Sequence, residues 1–147
     1  MGLYCLNMIA IGLELAPRNH VYEHLGIGFF EHFMHIAAAI NGEIDEGRAL
    51  WNKTDGWYYD VVHGMSRNDA SEQLAVRSQV GLIPLFAAMV LDHCWVGQLP
   101  AFIARYEWLI TTRPELCGGL ACIWTPNGAR CIMSIVNFNR LQRLLAR

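Results

Sequence analysis

The stretch that most constrains this chain is residues 3–16. It carries Leu3, Tyr4, Leu6, Met8, Ile9, Ile11, Leu13 and Leu15, so apolar side chains stand on every side of a helical wheel, with only Asn7 and Glu14 interrupting them. A surface helix has one apolar stripe and a polar back; a helix of this kind calls for protein all round it. It is too short for a bilayer, which takes about 20 apolar residues, and no positive segment precedes it as in a secretory leader. Pro17 closes it, because the ring removes a backbone donor and disfavours helical geometry in the residue before it. The rest of the composition agrees: of 147 residues 54% are hydrophobic and only 16% charged, too few charges to cover an ordinary domain. One domain at most is expected, with a partner or a larger assembly covering part of it. With 11 Lys and Arg against 13 Asp and Glu and no basic run, the chain lacks the footprint of a nucleic-acid surface. The 5 cysteines are odd in number and not spaced as a secreted disulfide framework, which points to a reducing cytoplasm.

Downstream, the pattern is of helical pairs joined by loops. Asn19 is placed to cap a second helix running to about Ile40, with Val21, Leu25, Phe29, Phe33, Ile36 and Ile40 as its apolar positions and Glu23, His24, Glu31, His32 and His35 around them. Asn41 and Gly42 make a good stop. Residues 42–80 change character: glycines punctuate an acidic and aromatic stretch, and residues 57–62 have the composition of a short strand or extended loop. The apolar run returns over residues 80–91, with Pro84 in the first turn of a helix, and residues 99–112 form an amphipathic helix ended by Arg113 and Pro114. Residues 120–136 fit a hairpin around Thr125, Pro126, Asn127 and Gly128, and a last helix starts at Val136, capped by Asn137 or Asn139.

Few constellations carry chemistry. His20, Glu23 and His24 fit an inverted zinc-protease pattern in which two histidines on one helical face hold the metal and the glutamate serves as base. His20 falls in the first turn and no downstream acidic ligand is marked by spacing, so a polar helix face is the plainer account and a small zinc hydrolase a remote alternative. Cys117, Cys122 and Cys131 lack paired Cys-x-x-Cys knuckles and read as buried thiols. No metal or cofactor is expected. The informative segment is residues 51–60, Trp-Asn-Lys-Thr-Asp-Gly-Trp-Tyr-Tyr-Asp: aromatic rings stack on the apolar faces of sugars while carboxylates accept bonds from hydroxyls. The structural alternative is a helix-to-helix loop in which Asp55 and Gly56 turn the chain and the aromatics plug the end of the core.

Leu6-Asn7-Met8-Ile9-Ala10, the Trp51 to Asp60 element and the run Arg77-Ser78-Gln79-Val80-Gly81-Leu82-Ile83-Pro84-Leu85-Phe86-Ala87 resemble, in order and separation, bacterial proteins similar to mannosylglycerate hydrolase and to glycoside hydrolase family 63. The resemblance implies an all-α fold, a partial (α/α)6 toroid of helical hairpins with a long aromatic loop and room for a short β-hairpin. Residues 1–147 would be a single incomplete domain, the central part of the catalytic domain. It implies an inverting glycosidase acting on glucosyl- or mannosyl-containing saccharides through a general acid and a general base on opposite faces of the sugar. Both carboxyls would lie outside this chain, leaving it without catalytic residues and inactive alone. Asp55, Trp57, Tyr58, Tyr59, Asp60 and Arg77 would line or support the sugar-facing end. Asn52 departs from the Asp usual after the Trp. The implied partners are carbohydrate in the intact domain and either the remaining helices or a second copy; nucleic acid and membrane are not among them. The runner-up is a stand-alone helical module that binds a partner protein.

Uncovered apolar surface of more than a few hundred Å² is rare on stable monomers, so the isolated chain is expected to self-associate or to pack loosely. Analytical ultracentrifugation beside a thermal scan checks this: a monodisperse monomer melting sharply and independently of concentration would contradict it.

Overall fold

A computed structural model describes residues 1–62, 71–91, 99–117 and 131–146. Helix α1 (Gly2–Leu15) and helix α2 (Val21–Asn41) pack along one another, joined by a short turn at Pro17. They approach closely because Gly12 lies on the backbone of α2: a Cβ there would fall 3.0 Å from the Tyr22 carbonyl oxygen and 3.2 Å from Gly26 Cα. Asn19 caps α2 as its position suggests, its Oδ1 accepting from the Val21 amide at 3.0 Å. Gly42 ends the helix in the left-handed conformation, φ 76°.

Across α2 lie helix α3 (Pro100–Thr112) and the single turn α4 (Pro114–Cys117), and the chain's last described helix is α5 (Phe138–Leu145). Among the described residues there are also three two-stranded antiparallel sheets: β1 (Trp51–Asn52) with β2 (Trp57–Tyr58), β3 (Asp60–Val62) with β4 (Glu72–Leu74), and β5 (Ala88–Leu91) with β6 (Cys131–Ser134). Single 3-10 segments at Glu46–Arg48 and Gln79–Phe86 connect them.

This architecture corrects the all-α expectation: the fold is mixed, and a partial (α/α)6 toroid of helical hairpins does not describe it. The physical reason sits in two segments. Residues 57–62 are rich in aromatic and β-branched side chains that suit a pleated surface, residues 88–91 are a short apolar run, and the backbones of both find ladder partners, Asp60 with Leu74 and Ala88 with Ser134. Pro84 is incompatible with an α-helical interior, so residues 79–86 wind as a 3-10 segment, capped by Ser78 Oγ on the Val80 amide at 3.3 Å, and give way to β5 instead of continuing as a helix. Strand β6 pairs across the fold with β5; the expected tetrapeptide turn at residues 125–128 lies outside the described residues.

Two apolar clusters result. The larger gathers Leu6 and Ile9 of α1, Phe30 and Phe33 of α2, Phe102 of α3 and Met133 of β6. The smaller holds Trp51, Tyr58, Val136 and Leu144, so the aromatic stretch is a second small core and not only a connecting loop. Of the expected stripe of α2, Phe33 is fully buried and Phe29, Ile36 and Ile40 pack against the larger cluster, but Val21 and Leu25 face outward, and Glu23, Gly26, Phe30, Met34 and Asn41 point in. Glu23, 7% exposed, belongs there because α3 has no side-chain cap of its own; Glu23 Oε1 accepts the Phe102 amide at 2.9 Å, a carboxylate from one helix serving the N-terminus of another. The wheel of α1 is not closed on every side either, since Leu3 and Ile11 are 44% and 51% exposed.

Glu23→Ala is expected to lower stability by about 1–3 kcal/mol, the range for leaving a buried amide without its charged acceptor. Glu23→Gln keeps an acceptor and should lose less. Thermal unfolding of both variants checks the order; equal losses would assign the effect to the carboxylate charge.

Candidate functional site

The element that spacing singles out folds as a tight hairpin. Trp51 faces Tyr58 and Asn52 faces Trp57 in register, with residues 53–56 turning the chain. Asn52 builds the turn: its Oδ1 accepts from the Thr54 and Asp55 amides at 3.0 and 2.8 Å, and its carbonyl oxygen accepts from the Gly56 amide at 2.9 Å. Gly56 closes the turn at φ 64°, a conformation only glycine adopts cheaply.

The amide of Asn52 has a second task. Gln73 Nε2 donates to the Ala49 carbonyl at 2.7 Å, and its Oε1 accepts from Asn52 Nδ2 at 2.8 Å. Backbone groups at both ends of this chain fix which end of each amide is nitrogen. An aspartate at position 52 could build the turn but has no donor for Gln73, so the amide serves both tasks where a carboxylate would serve one.

From the far side, α5 clamps the hairpin. Arg143 Nη2 donates to the carbonyl oxygens of Lys53 and Thr54 at 2.6 and 3.1 Å, and the guanidinium carbons of Arg140 and Arg143 stand 5.5 and 5.6 Å from the centre of the Trp51 ring. Arg140 is held in turn by Glu43 at 3.0 Å. Asn41, 1% exposed at the end of α2, accepts from the Tyr58 hydroxyl at 2.9 Å and donates to the Ile135 carbonyl at 2.9 Å. Burial pushes the Tyr58 phenol well above the ordinary tyrosine range, and the nearby charge of Arg140 opposes this.

The candidate residues fall into two groups. Tyr59, 3% exposed, donates to Asp55 Oδ2 at 2.8 Å, while hydrogen bonding to Tyr59 raises the pKa of exposed Arg77, opposed by slight desolvation and helped by the charge of Asp55. Asp55 and Tyr59 are thus paired, with exposed Arg77 close enough to feel both. Tyr58, Tyr59 and Asp60 line a concavity of about 280 Å³, whose opposite wall is Leu3 and the 3-10 residues Val80, Ile83 and Phe86. Trp57 stands apart from that lining, half-buried on Gly81, where a Cβ would fall 2.3 Å from its Nε1 and 2.5 Å from the Tyr58 carbonyl oxygen. Gly81 is therefore what lets the apolar 3-10 segment lie on the hairpin. The ring faces of Tyr58 and Tyr59 are mostly wall, and the exposed polar groups of the set are Asp60 and Arg77.

Sequence reading missed Asn41, Gln73, Arg140 and Arg143 as parts of this site. Their partners lie up to 97 residues away, and no local spacing marks them. In the alternative zinc pattern, the Glu23 carboxylate is bonded to the α3 amide and His20 and His24 are exposed. Among the described residues, no group of three His, Cys, Asp or Glu side chains is placed to hold a metal. Among them too, no helix is long and apolar enough to cross a membrane.

Compared with known proteins, the chain is 37% identical over 160 aligned residues to the uncharacterized protein YMR196W of Saccharomyces cerevisiae. All of this chain takes part in the match, and it spans 14% of the length of the yeast protein. No family model and no solved structure matches the chain.

Two expected outcomes follow from the hydrogen bonds. Asn52→Asp should cost about 1–3 kcal/mol by leaving Gln73 Oε1 without its donor, and Asn52→Asp combined with Gln73→Leu should cost no more than Gln73→Leu alone; a double-mutant cycle by urea denaturation measures this. Tyr58 ties stability to alkaline pH. Its folded pKa is raised, so once pH passes about 10 the unfolded chain releases a proton that the folded chain keeps, and stability falls by about 1.4 kcal/mol per pH unit from this group. Tyr58→Phe should be less stable than the native chain at pH 8, by about 1 kcal/mol for the lost bond to Asn41, and the gap should narrow above pH 10. A gap that stays constant with pH would show that the phenol ionises equally in both states.

Proposed function

We propose that this chain is a central part of a glycoside hydrolase resembling family 63, working inside a larger cytoplasmic protein on glucosyl- or mannosyl-containing saccharides and catalytically silent alone. The observation that carries the reading is the Trp51 to Asp60 element. It folds as a hairpin whose Tyr58, Tyr59 and Asp60 line a concavity and whose paired Asp55 and Tyr59 stand near exposed Arg77. Such an arrangement offers a carboxylate and a guanidinium to sugar hydroxyls from a fixed backbone. Three further features support it: the match across the whole chain to a small share of a long protein, the sparse surface charge, and the large apolar side chains left open away from the concavity at Ile11, Val21 and Leu25. The general acid and base, by the resemblance, belong to other parts of that protein, so Asp55 and Asp60 bind or position and do not protonate.

A second reading, a module that docks a partner protein, draws on other open side chains: Val80, Ile83 and Phe86 are 50%, 56% and 67% exposed on one 3-10 segment and could serve as anchors.

A chimera in which this chain replaces the matched segment of the yeast protein tests the first reading. Hydrolysis of α-glucosides or α-mannosides by the chimera and by the yeast protein, inversion at the anomeric carbon, and no hydrolysis by the isolated chain are the expected results. Inertness of the intact yeast protein toward a panel of both classes would remove the glycosidase reading and leave the docking module.

A further inference from the structure

Resting on the carbohydrate reading, we infer that the concavity beside Asp60 receives an apolar group attached to the sugar, so that the ligand is a glycoside with an apolar aglycone and not a free saccharide. The argument is a count of hydrogen-bonding groups. A hexosyl unit carries a hydroxyl on almost every ring carbon, and each one enclosed without a partner costs about 1–3 kcal/mol. The side chains around the concavity offer little to such a unit. The Tyr58 hydroxyl is committed to Asn41 and the Tyr59 hydroxyl to Asp55. Ser78 Oγ accepts from the Val80 amide and has its own proton and one lone pair left. Among side chains that leaves the exposed Asp60 carboxylate as the strong acceptor, and with the uncapped first amides of α1 at Gly2 and Leu3 it suffices for one edge of a sugar.

The remaining wall is hydrocarbon: Leu3 from α1, Val80, Ile83 and Phe86 from the 3-10 segment, and Ile135. At about 280 Å³ the space lies at the small end of ligand sites, room for a sugar edge and a short alkyl or aryl group. Each methylene entering it is removed from water, which is the gain that a second sugar, with its own hydroxyls to satisfy, would not bring. Asp60 then fixes the sugar at the rim while the 3-10 segment takes the aglycone.

The test is a titration of the full chain, followed by ligand-observed NMR, with methyl α-D-glucopyranoside, butyl α-D-glucopyranoside and butanol. Butyl glucoside binding about tenfold tighter than the methyl glucoside is expected, from partial burial of the added methylenes. Phe86→Ser should erase that difference and Asp60→Asn should weaken both glucosides; both positions are exposed, so neither variant disturbs the core, and Ile83→Ser repeats the first test independently. Equal affinities for the two glucosides would overturn the inference and leave the carbohydrate reading in place. Butanol binding as well as its glucoside, with Asp60→Asn without effect, would overturn the carbohydrate reading itself. No binding of any of the three would overturn the inference.

Discussion

The buried amide of Asn41 is the point on which the two halves of this fold depend. It ends α2, receives the Tyr58 hydroxyl from the hairpin and gives a proton to the Ile135 carbonyl after β6, so three separate stretches of chain meet on one side chain. A buried amide is costly unless both its donor and its acceptor are used, and the cost is what makes the arrangement specific: moving the hairpin or β6 by one residue leaves a polar group alone in an apolar setting. Around this point the smaller cluster of Trp51, Tyr58, Val136 and Leu144 assembles, and the concavity forms where that cluster meets α1 and the 3-10 segment.

How much of this was legible depended on whether the cause was local. The stop at Asn41 and Gly42, the cap at Asn19, the extent of the helix ended by Arg113 and the Asn137 cap of α5, whose Oδ1 accepts from the Arg140 amide at 2.9 Å, all follow from residues within a few positions of one another. What escaped were pairings made at a distance. Strand β5 was hidden inside an apolar run because periodicity cannot separate a short buried strand from a helical segment, and its partner β6 is about forty residues downstream. The outward turn of Val21 and Leu25 escaped for the same reason: apolarity marks a face, but Glu23 points inward to serve a helix that begins almost eighty residues later.

For the candidate site the division is sharper. The Trp51 to Asp60 element stood out by composition, and its turn chemistry at Asn52, Asp55 and Gly56 is local. Yet composition could not distinguish a ring that presents its face to a ligand from a ring that packs. Tyr58 and Tyr59 are buried with their hydroxyls engaged, and Trp57 rests on Gly81, so the aromatic character of the segment serves the small core at least as much as any ligand. Asn52 shows the opposite case. Why an amide stands at this position became intelligible only once Gln73, twenty-one residues on, was seen to need its proton.

The clamp of Arg143 on the Lys53 carbonyl spans 90 residues, and that separation has a consequence for the order of events during synthesis. A ribosome adding about 5–20 residues per second delivers the clamping arginine roughly 5–20 s after the hairpin turn has left the tunnel. Throughout that interval Trp51 has Tyr58 on one side but none of the guanidinium or Leu144 cover that α5 later supplies. The nascent chain therefore carries a half-built aromatic cluster until α5 has emerged. A ribosome that stalls, or a message cut short ahead of α5, releases that cluster open to whatever apolar surface lies nearby.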